Sequence, residues 1–129
     1  MKTETLERDM HMEALIWKST LQRTAEQLDC MKNKLYKTKI YFDRLDTNNV
    51  WDNYTTTATH YLERIELLKN RVSKFENKLT LLNECDMNCF EEADAISILV
   101  ESCSKNVKIL FSKISDYTNR TISDEKFQN

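Results

Sequence analysis

The chain has 129 residues and contains neither glycine nor proline, although ordinary usage would supply about fifteen of the two together. Without glycine, phosphate-cradling loops, left-handed turns and two-residue hairpins lose their usual residue. Without proline there are no fixed corners. Long helices need neither residue. A dominant charge of one sign is also missing. Lys and Arg number 19 against 21 Asp and Glu, a net charge of −2 with a pI near 5.7, so no global field draws in nucleic acid or anionic lipid. No run approaches the length of a membrane span, and the opening stretch MKTETLERDM lacks the apolar core of a signal peptide. A soluble, intracellular protein is the expectation. In that setting Cys30, Cys85, Cys89 and Cys103 stay reduced, and the glycosylation patterns Asn53-Tyr54-Thr55 and Asn119-Arg120-Thr121 are chance matches.

What is present is enough to fold. Hydrophobic residues make up 40% of the chain and charged residues 31%, too apolar a balance for a disordered chain. The length suits one domain, so residues 1–129 are read as a single helical domain whose ends, 1–6 and 120–129, fray.

Alternate steps of four and three from Met10 pass through Ala14, Trp17, Leu21, Thr24, Leu28, Met31, Leu35, Thr38, Phe42 and Leu45. Only the two threonines break the apolar run, which is a heptad seam. The pattern stops at DTNN, residues 46–49, where poor helix formers gather. Asn49 is placed to cap a new helix with Asp52 in its first turn. From Tyr54 the same stepping passes through Ala58, Tyr61, Ile65, Leu68, Val72, Phe75, Leu79, Leu82, Asp86, Cys89, Ala93, Ile96, Val100, Cys103, Val107, Leu110, Ile114 and Tyr117, with Asp86 the single polar position.

Two backbones fit. One is a two-helix hairpin in which a very long helix runs unbroken over 50–118, about 104 Å at 1.5 Å per residue, and leaves half its seam uncovered. The other breaks the chain at NECDMN, residues 83–88, where Asn83, Asp86 and Asn88 are weak helix formers and Asn88 with Glu91 resembles a capping box. The second gives an all-α fold of three long antiparallel helices, about 10–45, 50–82 and 88–118, forming a bundle or coiled coil. Their similar lengths let them cover one another. Running up, down and up, they set Trp17 level with Leu79, Leu82 and Ala93, and Trp51 near Leu45, Ile114 and Tyr117 at the other end.

The candidate chemistry is sparse. Cys85 and Cys89 stand one helical turn apart, but no second pair answers them and His11 and His60 lie on different helices, so a four-ligand zinc site is not expected. Cys89 and Cys103 occupy the seam, where a free cysteine packs as a small hydrophobe. Glu84, Asp86, Glu91, Glu92, Asp94 and Glu101 form an acidic block read as a solvated face, paired with Arg64, Lys69, Arg71, Lys74 and Lys78 on the preceding helix. Lys32, Lys34, Lys37, Lys39 and Arg44 interleave with Tyr36, Tyr41 and Phe42, a pattern better matched to an acidic protein partner than to nucleic acid in an acidic chain. Neither histidine has an evident orienting carboxylate. No enzyme activity, cofactor, metal or small-molecule substrate is expected.

Trp51-Asp52-Asn53, directly after the first corner, and Phe90-Glu91-Glu92-Ala93-Asp94 further on together resemble the WXG-type small helical hairpins of type VII secretion. In that family a Trp-x-Gly turn joins two helices and a Tyr-x-x-x-Asp or Glu element forms part of the export signal. The resemblance implies a turn at Trp51 and Asn53, an export or partner-docking motif at Phe90 and Asp94, and travel as a dimer or with a partner. Here Asn53 replaces Gly, Phe90 replaces Tyr, and the apolar seam continues beyond the motif. Three equal helices also look like a spectrin-type repeat, in architecture only.

The main expectation is a non-enzymatic interaction module, a subunit or adaptor that joins protein partners or itself through helical packing. Secretion along the type VII route is the alternative. Leu15, Ile16, Ile40, Leu62, Leu67, Leu81, Ile98, Leu99, Ile109 and Phe111 lie off the seams, more apolar surface than one three-helix core is expected to cover.

Overall fold

The computed structural model describes the backbone of residues 2–40, 48–81 and 87–128, and the side chains of 9–40, 49–80 and 89–120. Three helices pack on one another: α1 (Lys2–Lys37), α2 (Asn48–Leu81) and α3 (Met87–Gln128). No strand occurs among the described residues.

Side-chain contacts give the helix directions. Trp17 meets Phe75 with ring centroids 5.7 Å apart, and Trp51 reaches Leu35, so α2 runs antiparallel to α1. Arg71 pairs with Glu92 and Tyr54 with Tyr117, so α3 reverses again. Lys34 lies over the ring of Phe111, which places α1 and α3 parallel. The chain therefore turns back between Leu81 and Met87, and the hairpin with one long helix over 50–118 is excluded. An uncovered half seam would have left a row of Leu, Ile and Val side chains in water, each worth roughly 1.5–3 kcal/mol when buried.

The core is the heptad seam. Every described seam position is buried, apart from Tyr54, Tyr61 and Tyr117, which pack half-buried against it. Phe75, Leu21, Leu28, Met31, Leu35, Ile65, Ile96 and Ile114 are the largest of the fully buried side chains. The two threonines of the first seam are also buried, and each answers its hydroxyl locally. Thr24 donates to the Thr20 carbonyl at 2.7 Å, and Thr38 to the Lys34 carbonyl at 2.9 Å. A polar group inside the core costs little when its hydrogen bond closes on the same helix.

The ends differ from the sequence reading. α1 closes at Lys37, helical backbone resumes at 39–40 after a turn at Thr38, and seam residues Phe42 and Leu45 lie outside the described residues. Asn49 is the second residue of α2 rather than its cap, and Asp52 falls past the first turn. Asn88 likewise lies inside α3, while 83–86 of the expected corner are outside the described residues. Helical backbone continues past both seam ends, to Lys2 and to Gln128. Cooperative propagation carries a helix beyond its last packed residue, so the apolar pattern locates contacts better than termini. Trp17 meets the ring of Phe75, one turn from Leu79 on α2; Leu82 lies outside the described residues.

Candidate functional site

The four residues of the sequence motif do not form one site. Trp51 stands at the start of α2, where its indole N–H donates at 2.7 Å to the carbonyl of Leu35. That carbonyl belongs to the last turn of α1, where backbone acceptors run out of intrahelical donors. The Thr38 hydroxyl approaches the same oxygen at 3.2 Å, and the Lys39 ammonium lies 5.0 Å from the Trp51 ring centroid. Trp51 thus ties the beginning of α2 to the end of α1. Asn53 is exposed and accepts the Thr57 hydroxyl on its backbone carbonyl. Phe90 and Asp94 lie at the opposite end of the bundle, one turn apart on α3; Asp94 is exposed and Phe90 is 37% exposed.

Among the described residues, the acidic block forms an ion pair with α2 through Arg71 and Glu92. Arg71 Nε and Nη2 donate to the two carboxylate oxygens of Glu92 at 2.6 and 3.2 Å. This hydrogen bonding, with the attraction of Arg71 and then Lys78, holds the Glu92 carboxyl below its ordinary range, and the same contact raises Arg71. Lys69 and Arg64 make other contacts. Lys69 donates to Gln22 across the α1–α2 seam and lies 3.6 Å from Glu66, while Arg64 stacks 5.7 Å from the Tyr61 ring. Across α1 and α2, Lys18 pairs with Glu76.

The cysteines divide by environment. Cys89 and Cys103 are buried and Cys30 is exposed. Burial pushes the Cys103 thiol up, and the charge of Arg64 offsets part of that. Cys85 lies outside the described residues. Among the described residues no three His, Cys, Asp or Glu side chains converge as a metal site, and no helix is long and apolar enough to cross a membrane. His60 lines a surface hollow of about 400 Å³ with Thr56, Thr57, Tyr61 and Arg64. Neither a carboxylate nor a thiol joins it there.

The surface instead concentrates apolar side chains. Leu67 on α2 is 70% exposed, and Ile98 and Leu99 on α3 are 67% and 40% exposed. The Arg71–Glu92 pair sets Leu67 at a similar height along the bundle to this part of α3. A second group, Met12, Leu15 and Ile16, stands out from α1. Three heptads back from the Lys34–Phe111 contact, Phe90 stands at about the height of Glu13 along the bundle. Of the spare hydrophobes counted in the sequence, Leu62 and Phe111 pack against the core, whereas Leu15, Ile16, Ile40, Leu67, Ile98, Leu99 and Ile109 remain exposed.

The chain matches no family model, no curated protein and no solved structure. The resemblance to WXG-type proteins therefore stands on Trp51, Asn53, Phe90 and Asp94 alone.

Proposed function

We propose that the chain is a non-enzymatic helical interaction module, a subunit or adaptor that packs a partner helix or a second copy against the α2–α3 face. One observation carries this reading: Leu67, Ile98 and Leu99 are large, apolar and exposed on the outer surfaces of α2 and α3, while every described seam position already packs into the bundle's own core. Exposed apolar groups stabilise association by the same burial that drives folding. The non-enzymatic part is supported by the lining of the His60 hollow, which supplies no carboxylate to orient the imidazole. Light scattering on the purified chain tests the self-associating form, with Leu67→Lys and Ile98→Lys as variants. An oligomer that these substitutions dissolve into folded monomers is the expected result. A wild-type chain that stays monomeric, and captures no protein from its native cell that the double variant fails to capture, overturns the proposal.

A second reading, export by or with the type VII pathway, draws on Phe90 and Asp94. They are one turn apart and accessible near the start of α3, the arrangement a docking signal on a helix requires. Changing both to Ala is expected to block export while leaving the circular dichroism unaltered. Unchanged export dismisses this reading and leaves the first untouched.

A further inference from the structure

We propose that the notch between α1 and α3 binds a phosphate group. It is a recess of about 350 Å³ lined by Thr20, Arg23, Thr24, Gln27, Ser104 and Lys108. The seam reaches Thr24 at this level instead of a large apolar residue, and Ser104 faces it from α3, so two small side chains leave space that Leu would fill.

The lining is one-sided in its hydrogen bonding. The Thr24 hydrogen is committed to the Thr20 carbonyl. The hydroxyls of Thr20 and Ser104, the Gln27 amide, the Arg23 guanidinium and the Lys108 ammonium spend no side-chain hydrogen bond or ion pair on another described residue, in contrast to Lys18, Lys69 and Arg71, which do. Thr20, Gln27 and Ser104 are half-buried, while Arg23 and Lys108 are exposed at the rim. No carboxylate lines the recess, although the chain as a whole is acidic.

Uncommitted donors beneath two cations, with no anion of the protein's own to neutralise them, are the requirements for an oxyanion. Arg supplies a planar fork and Lys a compact point charge, and both are regular phosphate partners. A phosphate seated here touches α1 through Arg23 and α3 through Lys108, so it bridges two helices. Nothing in this site depends on the apolar α2–α3 face, and failure of one proposal leaves the other standing.

The phosphate comes either from a free anion or from a phosphorylated side chain, and two probes separate these sources. Inorganic pyrophosphate and a short phosphoserine peptide, the latter against its unphosphorylated form, are titrated into the whole chain at constant ionic strength, and binding is read by calorimetry. Constant salt is needed because exposed charges are screened over about 10 Å at 0.1 M. At least one probe is expected to bind. The double variant Arg23→Gln/Lys108→Gln should weaken it at least about tenfold, the scale of losing charged hydrogen bonds. Lys113→Gln, exposed elsewhere on α3, serves as a control for charge and should bind as the wild type does. Circular dichroism shows that each variant is folded. Absence of binding by both probes at about 10 mM, a weak limit on the affinity scale, overturns the proposal. So does equal binding by the double variant, or equal loss in Lys113→Gln.

Discussion

Replacing Trp51 with Phe keeps an aromatic ring at the start of α2 and removes the indole N–H along with the five-membered ring that carries it. The indole N–H gives the Leu35 carbonyl a donor at 2.7 Å, at a helix end where intrahelical donors are exhausted. The net value of such a bond is about 0.5–1.5 kcal/mol. The Lys39 contact with the ring, at 5.0 Å, is worth about 0.5–1 kcal/mol at an exposed site, and Phe retains part of it. The loss totals about 1–2 kcal/mol, which for a chain of this length lowers Tm by roughly 3–8 °C. Thr38 adds an internal check, because its hydroxyl stands 3.2 Å from the same carbonyl and 2.9 Å from that of Lys34. With the indole gone, Thr38 can turn wholly to Leu35 and recover part of the loss. Trp51→Phe should therefore cost more in a Thr38→Val background than alone, a coupling of about 0.5 kcal/mol by double-mutant cycle. Urea unfolding followed by circular dichroism measures both. An unchanged midpoint in the single variant would show that the indole contact holds nothing together, and strictly additive variants would show that the carbonyl is not shared.

Ile65→Ala removes a fully buried side chain from the middle of α2 and should cost about 2–5 kcal/mol in urea unfolding, whereas Ile98→Ala, at 67% exposure, should stay within about 0.5 kcal/mol in the dilute monomer. Alkylation of the native chain, mapped by mass spectrometry, should modify Cys30 well before Cys89 or Cys103, since Cys103 must shed its burial to form the thiolate; equal rates would contradict the packing. Glu92→Gln should lose about 0.5–1 kcal/mol at neutral pH and low salt, a value already discounted because Arg71 and Glu92 remain 40% and 31% exposed. The Glu92 carboxyl is lowered on folding, so this contribution is present above the unfolded carboxyl pKa and is lost as pH falls through the folded value. The wild type and Glu92→Gln should accordingly converge in acid, and a gap that persists there refutes the pairing.

The inside of this molecule was legible because one spacing decides it. Met10 through Thr38 and Tyr54 through Tyr117 mark the buried positions without the structure, down to the threonines that interrupt the apolar run. Among the described residues Thr118 is the one buried position that the stepping misses, and its hydroxyl donates at 3.1 Å to the Ser115 carbonyl. Helix termini were less legible. Asn49 and Asn88 carry capping chemistry in isolation, yet each lies one residue inside its helix, because backbone hydrogen bonding gains from every added residue regardless of a local capping preference. The role of Trp51 was hidden for another reason. Its partner is a backbone carbonyl sixteen residues earlier, and a carbonyl leaves no mark in the sequence.

Surface residues depend on what lies across the groove, and the heptad does not state that. Phe90 and Phe111 each follow a seam residue directly, Cys89 and Leu110, and so occupy equivalent flanking positions on α3. Phe111 lies under the Lys34 ammonium, 5.8 Å from the ring centroid, and packs against the core. Phe90, level with Glu13 in the same register, is 37% exposed. A cation is drawn to the face of an aromatic ring and a carboxylate is not, so one flank is covered by its own helix partner and the other stays open. Arg71 and Arg64 differ in the same way: Arg71 pairs with Glu92 across the groove, whereas Arg64 lies over the ring of Tyr61 on its own helix. Function in such a bundle rests on the flanking positions that folding leaves without an opposite number, and these can be read only once the register between helices is known.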